Sequence, residues 1–429
     1  MTSPVGRTPT SQGSLARTRS IAIPLAAAAA LASIGTMEGA YGIMALMSRR
    51  SSNRADIPPF YVMEVMRAAE EREQAGGEVL HLEVGQPSTS APRGVVKAAE
   101  AALRTDGPLG YTNALGTPAL RAAIAAHYAD WYDVAVDPAR VVVTSGASAS
   151  CVLSFLACFD EGDRVAVSSP GYPCYKNILA SFGVDVVDVP LDATTRFQLT
   201  PELLEAHAPL AGVVVASPSN PTGTMLDATS LGALSSWCAQ NGAQLISDEI
   251  YHGITYGQAA TTAIASDPDA VVVNSFSKYF SMTGWRLGWL VLPETLLSAV
   301  ERLAQNLYIS APTLSQLAGV AAFDCHEELV GNVQRYAENR EILLERLPAA
   351  GIDDVAPADG AFYVWGRVDH LGDSQALSAQ WLDELGVAVT GGVDFDPARG
   401  RHYMRFSFAG ATHEMREATA RLEQWARTR

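Results

Sequence analysis

Residues 141–155 read Val-Val-Val-Thr-Ser-Gly-Ala-Ser-Ala-Ser-Cys-Val-Leu-Ser-Phe. A β-branched run passes through a turn of small residues into a helical pattern. The same grammar recurs downstream. β-rich runs at 141–144, 164–168, 184–189, 213–216 and 244–247 alternate with helical patterns at 149–159, 175–182, 201–208 and 230–240. Such alternation predicts a mostly parallel sheet covered by helices. The strand runs are almost continuous in apolar residues, as both-face burial requires. Two further runs, 271–274 and 287–292, extend the sheet. Ligands should gather at the carboxyl ends of these strands.

Beyond this block, a long helical pattern at 328–347, strand-like runs at 361–365 and 403–408, and a terminal helix at 413–428 describe a smaller α+β unit. The boundary falls near 310–328. Neither an internal repeat nor a Gly/Ser linker separates the units, so they should pack closely around a cleft. The fold expected is thus α/β, a large helix-covered sheet domain with a smaller α+β domain.

A chain of 429 residues that is 48 % hydrophobic, with mean hydropathy +0.09, has material for two cores. The formal charge of -16 argues against a nucleic-acid partner, and no basic run appears. Cys151, Cys158, Cys174, Cys238 and Cys325 have spacings that suit neither a zinc site nor a disulfide framework, so free thiols in a reducing compartment, the cytoplasm, are expected. No metal site is expected.

Residues 1–50 read differently. Arg7, Arg17 and Arg19 precede an alanine-rich apolar run from Ile21 to Ile34. Three readings stand: a start codon assigned too far upstream, a targeting segment, or a membrane anchor. The helix-forming stretch 61–74 is the first piece of the folded protein under any of them.

The chain has three lysines, Lys97, Lys176 and Lys278. Lys97 lies in an amphipathic helical pattern and Lys176 follows a tyrosine-rich loop. Lys278 directly follows a buried strand, in Asn274-Ser-Phe-Ser-Lys-Tyr279, where a ligand would lie. With Thr283-Gly-Trp-Arg286-Leu-Gly-Trp289 behind it, this segment resembles the fold-type-I pyridoxal-phosphate enzymes, and specifically the class I/II aminotransferases, across residues 56–429. The resemblance implies an aspartate-aminotransferase-like fold. It would have residues 51–95 as an arm and part of the small domain, 96–325 as the cofactor domain, and 326–429 as the small C-terminal domain.

It also implies pyridoxal 5'-phosphate held by Lys278 as a Schiff base, with the freed lysine amine as general base. Ser275 and Arg286 would bind the phosphate, with the Ser277 hydroxyl as an added donor. Arg286 could also help lower the lysine's proton affinity. Ser145, Gly146 and Ala147 form a strand-to-helix turn whose amides suit phosphate. Asp248, at a strand end in Asp248-Glu-Ile-Tyr251, would keep the ring nitrogen protonated. Glu249 is its rival, but alternation turns it away. Tyr251 and Asn220, the latter in Asn220-Pro-Thr-Gly223, are assigned to the phenolic oxygen, and Tyr172 to the ring face.

For the substrate carboxylate the resemblance points to Arg405, in Tyr403-Met-Arg-Phe-Ser-Phe408, to Gly85 through its backbone, and to Asn220. A structural salt bridge is the alternative for Arg405. Tyr111 resembles the tyrosine that reaches the phosphate of a neighbouring subunit, implying a homodimer with composite sites. The reaction implied moves the amino group of an L-amino acid to a 2-oxo acid such as 2-oxoglutarate or pyruvate. The turn 147–151 lacks a lysine that some dicarboxylate-specific relatives present, which favours neutral or hydrophobic donors. β-Lyase, decarboxylase and aminocyclopropane-carboxylate-synthase-like chemistry use similar cups and stay open. Ser275-Phe-Ser-Lys278 also satisfies the Ser-x-x-Lys signature of penicillin-binding enzymes, but the companion Lys-Thr-Gly is missing.

Overall fold

The computed structural model describes residues 52–105 and 107–428. The three readings of residues 1–50 lie outside the described residues. Ahead of Ile57 the described part holds one 3-10 turn, Asn53–Ala55, and Ile57–Arg429 form one compact unit.

That unit begins with α1 (Tyr61–Gln74), β1 (Leu80–His81), α2 (Arg93–Leu103) and α3 (Pro118–Tyr132). It then alternates through β2 (Val141–Thr144), α4 (Ala147–Cys158), β3 (Arg164–Ser169), α5 (Pro173–Ser181), β4 (Asp185–Pro190), α6 (Pro201–Glu205), β5 (Gly212–Ala216), α7 (Ala228–Asn241) and β6 (Gln244–Asp248). β7 (Val271–Ser275) and β8 (Gly288–Val291) follow, then α8 (Glu294–Leu307), α9 (Thr313–Gly319) and α10 (His326–Arg346). The last elements are β9 (Tyr363–Arg367), α11 (Ser374–Leu385), β10 (Val387–Ala388), β11 (Thr390–Gly391), β12 (Tyr403–Ser407) and α12 (Thr412–Arg427).

Seven strands form the main sheet in the order β2-β8-β7-β6-β5-β3-β4; β8 runs antiparallel to both neighbours and the other pairs are parallel. The physical origin is visible in the valine runs. Val141 and Val143 enter one core while Val142 enters another, and Val213 and Val215 divide from Val214 in the same way. Period-two alternation with both faces apolar requires helices above and below. An antiparallel sheet, β11-β12-β9, and a parallel pair, β1-β10, complete the strands.

Most element ends fall within one or two residues of the sequence expectation, and two of the differences have a clear local reason. The helix expected over 201–208 stops at Glu205, because Ala208 precedes Pro209 and is disfavoured in the helical region. The strand expected from Ala361 begins at Tyr363, since Ala361 has φ 57°, in the left-handed region.

β2, β3, β5, β6 and β7 point the same way, so their carboxyl ends open on one edge of the sheet. Ala216 of β5 and Val273 of β7 are both in register with Asp248 of β6. The residues following these three strands therefore converge.

Candidate active site

A cavity of about 740 Å³ lies at that edge, lined by residues that include Gly85, Ala147, Tyr172, Asn220, Asp248, Tyr251, Ser277, Lys278, Arg286 and Arg405. Eight of these ten residues stand at the main-sheet strand ends or in the turns and loops after them. The electrostatics are unbalanced. Three cations, Lys278, Arg286 and Arg405, face one lining carboxylate, Asp248. Such a cavity suits an anionic ligand.

Lys278 follows β7 and its Nζ donates to the Gly85 carbonyl at 2.6 Å. Burial, then the Arg405 and Arg286 charges, push its amine down to about 8, against the opposing pull of Asp248. Arg405 outweighs Arg286 here, although the sequence pointed to Arg286 as the neighbouring cation. A neutral, nucleophilic amine is thereby brought close to neutral pH.

Asp248 ends β6 and is buried. Tyr175 Oη donates to its Oδ2 at 2.5 Å and the Ile250 amide to its Oδ1 at 3.0 Å. Burial raises its carboxyl to about 6; those two donors and Lys278 hold it down from going further. At about 6 it still lies below neutral pH, which favours the anion there. The Tyr251 hydroxyl lies 2.7 Å from that of Tyr363, and burial keeps both phenols protonated.

Ala147 and Ser148 of the lining belong to the first turn of α4. Gly146 caps α4 at φ 84° and supplies no side-chain acceptor, so the first amides of the helix are left for a ligand. A Cβ at Gly146 would overlap the Arg286 guanidinium. Arg286 itself sits at φ 51° and is braced by the Thr283 and Ser145 carbonyls at 3.1 and 3.5 Å. Ser275 is placed differently from expectation. Its hydroxyl is turned into its own loop, where it bonds the Leu287 carbonyl at 3.0 Å and accepts from the Ser277 amide at 3.1 Å. Ser277, not Ser275, lines the cavity.

Arg405 stands on β12, 2 % exposed. Its Nη1 donates to Asn220 Oδ1 at 3.0 Å and its Nη2 to the Glu83 carbonyl, both neutral acceptors, while Nε has no partner among the described residues. Tyr363 and Phe395 flank the guanidinium, their ring centroids 4.6 and 4.7 Å away. A structural salt bridge does not account for it. A buried guanidinium with neutral partners and a free N–H is poised for a carboxylate. Gly85 closes the same corner, and a side chain there would overlap the Tyr363 hydroxyl.

Tyr172 caps α5 in the cavity wall, edge-on to Tyr175 and Phe60. Tyr111 is 82 % exposed and outside the cavity. Sequence reasoning missed Tyr175, Tyr363 and the Glu83 carbonyl. Tyr175 lies one helical turn after Tyr172, a spacing that could have flagged it. Tyr363 and the Glu83 carbonyl carry no comparable signal.

Glu249 faces the other way, as alternation requires. It is buried and accepts from the Ala263 amide at 2.8 Å, Thr262 at 3.1 Å and Ser247 at 3.2 Å. Burial raises its carboxyl from 4.5 to about 8. With the folded value above the unfolded one, the stability it contributes is present below pH 4.5 and is lost as pH rises towards 8. Glu249→Gln should therefore gain in Tm over the wild type progressively between those pH values; a Tm difference independent of pH would contradict this.

The family model for aminotransferase class I and II matches residues 77–422. The chain belongs to the class I and II aminotransferases. It is 50 % identical over 385 residues to the valine–pyruvate aminotransferase of Mycobacterium tuberculosis, covering 88 % of this chain and 99 % of that one. A solved structure of an aminotransferase from the same organism superposes with TM-score 0.87 at 49 % identity, covering 89 % and 100 % of the two chains. Thermus thermophilus aspartate aminotransferase with maleate superposes at 0.83 with 29 % identity, over 88 % and 99 %.

This aminotransferase uses pyridoxal 5'-phosphate and moves an amino group to a 2-oxo acid. The residues fit the cofactor. The glycine-lined turn, uncapped helix and Arg286 suit its phosphate, the buried Asp248 carboxylate suits a protonated ring nitrogen, and Lys278 offers an amine of lowered proton affinity.

Proposed function

We propose that the amino donor of this aminotransferase is a neutral, aliphatic amino acid such as valine, and the acceptor a small 2-oxo acid such as pyruvate. One observation carries the reading. Beyond Lys278, Arg286 and Arg405 no further cation lines the cavity among the described residues, and the wall nearest the N-terminal helix is made by Phe60, Val62, Met63, Met66 and Val84. A side-chain carboxylate would enter that wall unpaired, at a cost of several kcal/mol. The name of the 50 %-identical relative agrees.

When bound, the cofactor supplies an electron sink that makes the substrate Cα–H acidic. The protein's residues do the rest. Arg405 and the Gly85 loop hold the α-carboxylate and so fix which Cα bond is presented. Lys278 Nζ, the tether in the resting enzyme, takes the Cα proton. Asp248 would hold the proton on the ring nitrogen, with Tyr175 keeping that carboxylate in place. Tyr251 and Asn220 would bond the phenolic oxygen, Tyr172 would cover the ring, and the amides after Gly146 would join Ser277 and Arg286 in holding the phosphate.

Residues 96–325 serve as the cofactor lobe, with 326–429 and the 51–95 arm as the smaller one. Tyr111, exposed beside the exposed Leu109, is available to a second copy, whose phosphate it would reach in a homodimer. Five free thiols support work in a reducing compartment, the cytoplasm. No described helix is long and apolar enough to cross a membrane.

A single-turnover screen tests the donor class by following loss of the holoenzyme's visible band with individual amino acids. Valine, alanine and their neutral relatives should bleach it at least tenfold faster than aspartate at equal concentration. Fastest bleaching by aspartate or glutamate would overturn the reading.

A further inference from the structure

Four of the five residues of the apolar wall are carried by one element, and what fixes that element is not in the cavity. Phe60, Val62, Met63 and Met66 belong to α1 and its N-cap position. Phe60 gives the helix no side-chain cap. Asp394, in the Gly392–Asp394 turn between β11 and β12, does so from more than three hundred residues away. Its Oδ1 accepts from the Tyr61 amide at 3.1 Å and its Oδ2 from the Val62 amide at 2.9 Å. A carboxylate chelating two free amides at the positive end of a helix is a strong cap.

The same turn reaches the other walls. The ring of Phe395, the next residue, flanks the Arg405 guanidinium, and its carbonyl accepts from the Gly171 amide, next to Tyr172, at 3.0 Å. Val62, Phe395 and Trp365 share an apolar cluster against which Phe60 packs. The far end of α1 is held separately. Arg72 bonds the Asp383 and Glu78 carbonyls, and Glu73 meets His81. Loss of the Asp394 carboxylate thus releases the first turn of α1, which carries the wall, without freeing the helix as a whole.

We propose that Asp394 is a positioning residue for donor selectivity: it sets the distance between the apolar wall of α1 and the carboxylate-binding Arg405, and with it the side-chain size the site accepts. The inference rests on the neutral-donor reading above. A donor whose side chain reaches α1 depends on the cap, and one too short to reach it does not.

The test is a comparison of kcat/KM for alanine, valine and leucine in the wild type, Asp394→Ala and Asp394→Asn holoenzymes, with the cofactor Kd as control. Asp394→Ala should lower the valine-to-alanine and leucine-to-alanine ratios by roughly tenfold, the scale of one lost cap, through KM more than kcat, with cofactor affinity unchanged. Asp394→Asn, which keeps one acceptor oxygen, should recover part of the ratio and serves alone should the alanine variant not fold. Unaltered ratios, or an equal fall for every donor, would overturn the proposal. A wild type that prefers aspartate would instead remove the donor reading, an outcome visible before any variant is made.

Discussion

Lys278→Ala should abolish transamination, with turnover down by at least about 10⁴-fold for every donor, because the substitution removes tether and base together. A positioned general base alone contributes roughly 10²- to 10⁴-fold. The structure explains why no neighbour can substitute. Among the described residues Lys278 is the one amine in the cavity lining, and Tyr251 and Tyr363 are phenols held protonated by burial. Lys278→Arg should be equally inactive although it keeps the charge, since a guanidinium does not shed its proton in a protein. Single-turnover rates with purified variants decide the matter. The apoprotein of Lys278→Ala should melt no lower than that of the wild type, because the lysine is a desolvated cation beside two others and its loss relieves that burden. A variant that keeps more than about a hundredth of wild-type turnover would show that another group moves the proton.

Arg405→Leu should be the second most damaging change, and its signature differs. Losing the charged partner of a substrate carboxylate costs about 2–5 kcal/mol, or roughly a 30- to 5,000-fold fall in kcat/KM. Thermal stability should hold or rise, as often happens when a buried charge gives way to an apolar side chain of similar bulk. Here the guanidinium has two neutral acceptors, an unpartnered Nε and two aromatic flanks. The variant should also raise the proton affinity of Lys278, because Arg405 is the larger of the two charges that lower it. The acid limb of the pH–rate profile then moves to higher pH. An unchanged KM combined with a clear drop in Tm would make Arg405 a structural residue.

What the sequence made legible follows from what each feature depends on. The sheet was readable because its valine runs are local and their alternation has no other stable solution. Lys278, Asp248 and Asn220 were readable because each stands at or within a few residues of the carboxyl end of a strand, where chain order alone brings residues together. Tyr175, Tyr363 and the Glu83 carbonyl were not, since their roles are set by a hydroxyl direction or a carbonyl that composition does not encode. Ser275 shows the converse. Its motif promised a phosphate donor, and the turn after β7 spends its hydroxyl on the loop instead. Asp394 was invisible for the plainest reason: its partners are the amides of Tyr61 and Val62, at the other end of the chain.

The most direct test of the account is to reduce the purified holoenzyme with borohydride, digest it, and locate the pyridoxyl phosphate by peptide mass. The chain has three lysines, and the added mass should fall on Lys278 alone. Addition at Lys97 or Lys176, or no addition to any lysine, would contradict it.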